Sequence, residues 1–152
     1  MNGKSNGLLK IVYAVIAIVA LFTGFGNMPL WKRYYVADVP GLGWSGDFFI
    51  NVNVHILAGS ILLAIGIYAI IVYIVKKTHY HLKLTLSGKI RGALMCLALI
   101  TGILMVVKNL PGVHFSLNAL MVFNFTHMGA AVLFMIMSII ALFGKRSWWR
   151  AQ

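Results

Sequence analysis

Four long apolar runs, separated by short stretches where charge, Gly and Pro collect, set the pattern of the chain. A helix needs about 20 apolar residues to cross a bilayer, and all four runs meet that length. The pattern predicts helix 1 over about 8–28, ended near Pro29, and helix 2 over about 48–75, between Asp47 and Lys76. It predicts helix 3 over about 87–108, with Ser87 as N-cap, and helix 4 over about 116–144. The expected fold is an all-α membrane protein, a single transmembrane domain spanning 1–152. It is expected to be a four-helix bundle running up-down-up-down. The uncharged run Ile11–Trp31 covers 21 residues with no small-x-small site after it, so it reads as a retained helix rather than a signal peptide. Composition points the same way: 61% of the 152 residues are hydrophobic, with 2 acids against 13 Lys and Arg. Soluble domains hold roughly half apolar and a quarter charged residues.

The net charge of +11 invites a nucleic-acid partner, but the basic residues flank the apolar runs and form no continuous face, so no nucleic acid is expected. They read as topology signals. Lys4, Lys10, Lys76, Lys77, Lys83, Lys89, Arg91, Lys145, Arg146 and Arg150 fall on one side, and Lys32, Arg33 and Lys108 on the other with both acids, Asp38 and Asp47. The positive-inside rule puts both termini and the 76–91 connection in the cytoplasm, in a multi-pass protein of a bacterial or archaeal cytoplasmic membrane. Lys89 and Arg91 are expected to snorkel to lipid headgroups. Trp31, Tyr34, Tyr35, Trp44, Phe48 and Phe49 suit an outer aromatic belt, and "KRSWWRAQ" a similar anchor on the other face.

An internal repeat adds chemistry to this frame. Ala-Leu-x-Thr-Gly occurs at Ala20–Gly24 and again at Ala98–Gly102. Each copy precedes a turn containing Pro and then a helix with one histidine: His55 after Asn51 and Asn53, and His127 after Asn124 and Thr126. The chain reads as two helical hairpins in parallel repeat. By the helical rise, His55 lies about 31 Å along its helix from Lys76 and His127 about 27 Å from Lys145, so the depths match to about one turn.

An ionisable residue inside a membrane is a functional candidate by default, although a histidine can also serve as interhelical glue. Two histidines do not hold zinc, which takes three or four protein ligands. Two do suffice for a haem, whose porphyrin supplies four nitrogens and leaves the axial positions to the protein. That selects one haem b with His55 and His127 on its iron. The lack of Cys-x-x-Cys-His excludes covalent c-type attachment. Gly59 and Gly129 are expected to give the porphyrin clearance, with Gly24 and Gly102 serving helices 1 and 3 in the same way. Arg33, Lys108 and His114 are candidates for the vicinity of the propionates or of a quinone. His79 and His81 fall in the connection after helix 2 and read as solvated. The single Cys96 reads as a buried, inert thiol. Three readings stay open: a haem protein, a haem-free anchor whose histidines are glue, and a small transporter. The last is disfavoured because the polar groups gather at one depth.

The chain resembles the four-helix membrane cytochrome b family, the gamma-subunit type of formate dehydrogenase and the related hydrogenase and thiosulfate reductase subunits. The resemblance rests on four spans, cytoplasmic termini, Thr-Gly endings on helices 1 and 3, and histidines in helices 2 and 4. It is closest over "GNMPLWKRYYVADVPGLGWSGDFFINVNVHILAG". It implies that His55 and His127 hold the outer of the family's two haems. The inner haem takes a histidine in helix 1, where this chain has none, and a second one in helix 4, where Ile140–Leu142 are apolar. One haem is therefore expected. The expected function is a cytochrome b subunit passing electrons between the quinone pool (menaquinone or ubiquinone) and a periplasmic iron–sulfur or multihaem subunit. Membrane lipid and other membrane subunits are the further partners.

Overall fold

The computed structural model describes residues 3–28, 35–80 and 83–150. Its main elements are four helices: α1 (Gly3–Gly26), α2 (Phe48–Tyr80), α3 (Leu86–Val107) and α4 (Leu117–Phe143). Each contains a segment long and apolar enough to cross a membrane: Gly7–Gly26, Phe48–Lys77, Leu86–Val107 and Leu117–Phe143. The all-α membrane fold expected from the sequence is what the chain adopts.

The helix ends differ from the sequence reading in three places. α1 begins at Gly3, ahead of the apolar run, and α2 continues past Val75 to Tyr80. The bilayer ends where charge begins, but Lys-Lys-Thr-His-Tyr contains no Gly or Pro to stop a helix. His79 therefore sits in the last turn of α2 rather than in a loop, and His81 lies outside the described residues. The N-cap of α3 is Thr85, not Ser87: the Thr85 hydroxyl accepts from Gly88 N–H at 3.0 Å, and Ser87 is a buried helical residue. α2 and α4 start on side-chain caps as well. The Asp47 carboxylate accepts from Ile50 N–H at 3.0 Å, and Ser116 accepts from Ala119 N–H at 3.3 Å.

Two compact units divide the chain, Met1–Ile67 and Tyr68–Gln152. In the first, α1 leads to 3-10 turns at Val36–Asp38 and Gly43–Gly46, and Trp44 packs on Phe22 with ring centroids 5.9 Å apart. Trp31, Lys32, Arg33 and Tyr34 fall outside the described residues, while Phe48 and Phe49 are exposed, as membrane-facing aromatics should be.

In the second unit α3 packs along α4, and the chain end folds back on the start of α3. The turn leaving α4 is a Schellman motif: Arg146 N–H reaches Ala141 C=O at 2.8 Å and Lys145 N–H reaches Leu142 C=O at 3.2 Å. Lys145 takes the left-handed position, φ 49°, that glycine usually fills. The tail then forms the two-residue strand β2 (Trp149–Arg150), antiparallel to β1 (Lys83–Leu84). The Trp148 carbonyl accepts from Thr85 N–H at 3.0 Å, and Thr85 Oγ1 donates to the Ser147 carbonyl at 2.8 Å. A Cβ at Gly88 would overlap the Trp148 carbonyl, so glycine is what lets the tail lie there. Arg91 does not snorkel. It is buried under Trp148, with its guanidinium carbon 4.2 Å from the ring centroid, and donates to the carbonyls of Ser87 and Arg146. Trp149 stacks on Tyr73 at 6.2 Å. Residues 145–150 of the "KRSWWRAQ" segment are thus a clasp on their own unit, with Trp148 and Trp149 still partly exposed.

Burial is inverted relative to a soluble protein. Among the described residues the buried apolar side chains are Ala58, Ala130 and Ala141, while large ones such as Leu142 and Phe143 are exposed. Lipid tails are as apolar as leucine, so helices associate through small residues and hydrogen bonds. Cys96 is exposed on α3 rather than buried, because its helix turns it away from the packed face.

Candidate functional site

The two Ala-Leu-x-Thr-Gly segments build the same structure twice. In the first unit, His55 Nδ1 on α2 lies 2.9 Å from the Ala20 carbonyl and 3.1 Å from Thr23 Oγ1, both on α1. In the second unit, His127 Nδ1 on α4 lies 2.8 Å from the Ala98 carbonyl and 3.3 Å from Thr101 Oγ1, both on α3. The threonines are buried and bound in one way. Thr23 Oγ1 donates to the Val19 carbonyl and Thr101 Oγ1 to the Leu97 carbonyl, each at 2.7 Å.

These contacts fix the histidine tautomer. A backbone carbonyl can only accept, so Nδ1 carries the hydrogen and donates it. The threonine proton is committed to its own helix, which turns oxygen lone pairs toward the same N–H. In the neutral ring Nε2 is then the atom with the lone pair.

The glycine of each segment makes room for the ring. A Cβ on Gly24 would stand 3.2 Å from His55 Cε1, and one on Gly102 would stand 3.1 Å from His127 Cε1. Gly24 and Gly102 thus clear the imidazole itself, which corrects the expectation that they give a porphyrin clearance. Gly59 and Gly129 have a different environment: a Cβ at either would meet nothing within 4 Å. Sequence reasoning found the Ala-Leu-x-Thr-Gly repeat but not its use. The clue was the spacing, since Ala, Thr and Gly at i, i+3 and i+4 share one helix face.

Past the histidines the likeness continues. Ala58 and Ala130, each three residues on, are both buried, and Gly66 and Ser138, each eleven residues on, are small residues again. The copies differ one turn before the histidine. Asn51 is buried and donates from Nδ2 to the Thr23 carbonyl and to Asn27 Oδ1, both at 2.9 Å, whereas Asn124 is exposed and donates to Leu120 of its own helix. The Asn51 amide rests on Gly26, where a Cβ would come within 2.8 Å of Nδ2. It therefore pins α1 to α2, and Asn53 is exposed.

Lys108 is the C-cap residue of α3 and only partly exposed, His114 is exposed in the turn before α4, and Arg33 is outside the described residues. Met121 and Met128, flanking His127, are exposed. Among the described residues no group of three or more His, Cys, Asp and Glu gathers to hold a metal ion.

No family model, curated protein or solved structure matches the chain. Its chemistry is read from the two histidine cradles.

Proposed function

We propose that the protein is a membrane cytochrome b subunit in which His55 and His127 are the two axial ligands of one haem b. The observation that carries this reading is the shared tautomer. An axial imidazole must be neutral, present Nε2 to the iron and be held through Nδ1–H by a second group. Both histidines are held through Nδ1 by the same pair of partners, a carbonyl and a threonine hydroxyl on the neighbouring helix. The donor set fits haem, because two imidazoles complete its iron and the porphyrin supplies the rest.

Bound there, haem b supplies one-electron transfer. The chain's own residues do the holding. Ala20 and Ala98 fix ring orientation through their carbonyls, Thr23 and Thr101 close the second acceptor position, and Gly24 and Gly102 let each ring lie against its neighbouring helix. Gly59 and Gly129 leave open space one turn or less beyond the histidines. In this reading the electrons pass between a quinone, menaquinone or ubiquinone, and a periplasmic iron–sulfur or multihaem subunit. In this reading the charge asymmetry puts Arg33, Lys108 and His114 on that outer side. The charge asymmetry supports cytoplasmic termini in a bacterial or archaeal cytoplasmic membrane.

The absorption spectrum of the purified protein tests this: Soret and α bands of a low-spin b-type haem are expected, and their absence refutes the proposal. One observation also favours a second reading, a haem-free anchor subunit. Each Nδ1–H bond already ties two helices together, which is all that glue requires. His55→Asn and His127→Asn separate the two. An asparagine amide can keep the bond to the carbonyl while removing Nε2. Glue alone predicts little change in these variants, and haem ligation predicts loss of the bands.

A further inference from the structure

We infer that the basic end of the second unit is a binding face for an anionic phospholipid headgroup. From residue 48 onward the chain has nine Lys and Arg and no Asp or Glu. The second unit therefore contains no Asp or Glu. The fold nevertheless gathers several of them. Lys83 lies in β1, Lys89 in the first turns of α3 and Lys145 and Arg146 in the turn after α4, all with exposed side chains. The clasp is what collects them. The tail is bound to Thr85 through the Ser147 and Trp148 carbonyls, and the Arg146 carbonyl accepts from Arg91. Like charges brought together without an acid repel, so the arrangement calls for an outside anion.

Lys145 points the same way. It occupies the left-handed C′ position, where a non-glycine residue is strained. Glycine stands one residue too early, at Gly144. A lysine kept in the strained position puts its charge at the rim of α4 and beside the clasp.

The depth selects lipid over other anions. Lys89 and Lys145 border the ends of membrane-crossing segments Leu86–Val107 and Leu117–Phe143. The tail folds back to that level, carrying the partly exposed rings of Trp148 and Trp149. Indole at the headgroup boundary, with exposed cations at the same end of the unit, matches a phosphodiester attached to acyl chains. Each basic residue near an anionic membrane surface contributes about fivefold in affinity.

The test uses the full chain in neutral detergent, with lipid retention read by native mass spectrometry. Phosphatidylglycerol should be retained well above phosphatidylcholine, and the preference should fall as salt rises. The triple variant Lys83→Gln, Lys89→Gln, Lys145→Gln should weaken phosphatidylglycerol binding on the order of a hundredfold, at about fivefold per charge. The corresponding Lys→Arg triple variant, with its charges intact, should keep the preference, which separates charge from misfolding. Equal retention of both lipids, or full retention by the glutamine variant, overturns the inference. Displacement of the lipid by millimolar inorganic phosphate makes this a free-phosphate site and overturns it. Displacement by poly-glutamate makes it a docking face for an acidic polypeptide and overturns it as well.

Discussion

Gly102→Val probes the cradle at the point where its geometry is tightest. The new Cβ would stand 3.1 Å from His127 Cε1 and 3.4 Å from Nδ1. Carbon atoms rest at about 3.5–4.0 Å, so the ring must retreat by several tenths of an ångström. It has little freedom to do so, being held to the Ala98 carbonyl at 2.8 Å and beside Thr101. Overpacking of this kind costs about 1–3 kcal/mol. Gly102→Ala should come out nearer zero, because it gains about 1 kcal/mol of helix propensity against a smaller clash. Gly24→Val should behave like Gly102→Val, since its Cβ would meet His55 at 3.2 Å. The controls are Gly59→Val and Gly129→Val, where the added Cβ meets nothing within 4 Å. Their stability should stay within about 0.5 kcal/mol of wild type. Unfolding of the detergent-solubilised protein, followed by far-ultraviolet circular dichroism, reads all five. If Gly102→Val matches wild type, or Gly59→Val costs as much as Gly24→Val, the glycine assignments are wrong. The same variants carry a second readout: Gly59→Val and Gly129→Val should lower haem content without unfolding the chain.

Three further outcomes follow from the same geometry. Thr23→Val and Thr101→Val each remove one of the two acceptors facing Nδ1 and keep the side-chain volume. Each should cost about 0.5–1.5 kcal/mol in unfolding measurements and shift the haem midpoint potential by redox titration, the two sites responding alike. Asn51→Leu loses the Nδ2 bonds to the Thr23 carbonyl and Asn27 and should cost about 1–3 kcal/mol, with Asn51→Asp worse because it buries an unpaired charge; equal stability of all three proteins in denaturant refutes the pinning role. Lys145→Gly relieves a left-handed lysine and should stabilise the second unit by about 1–2 kcal/mol, visible as a raised unfolding midpoint.

The fold was legible because hydrophobic length is a strong signal in a membrane protein: four runs gave four helices. Their ends were less legible. Charge marks where the bilayer stops, but α2 continues through Lys76 and Lys77 to Tyr80 because nothing there breaks a helix. The clasp was invisible for another reason. It rests on backbone carbonyls of Ser147 and Trp148 meeting Thr85, and on the missing side chain of Gly88, none of which leaves a pattern in the sequence. Arg91 read as a snorkelling cation because a charge near a helix end usually snorkels, but the tail supplies a ring and a carbonyl that hold it inside. His55 and His127 stood out as ionisable groups in apolar helices. Their partners did not, since Ala20 and Ala98 act through main-chain oxygens. The repeat of Ala-Leu-x-Thr-Gly was the trace these partners left.

The most direct test of the central claim is the reduced-minus-oxidised absorption spectrum of the purified wild type, His55→Asn and His127→Asn proteins, produced with haem in supply. The account predicts low-spin b-type Soret and α bands in the wild type and their loss in each variant, with helical content unchanged in all three. A wild type without haem bands, or either variant with an unaltered low-spin spectrum, would contradict it.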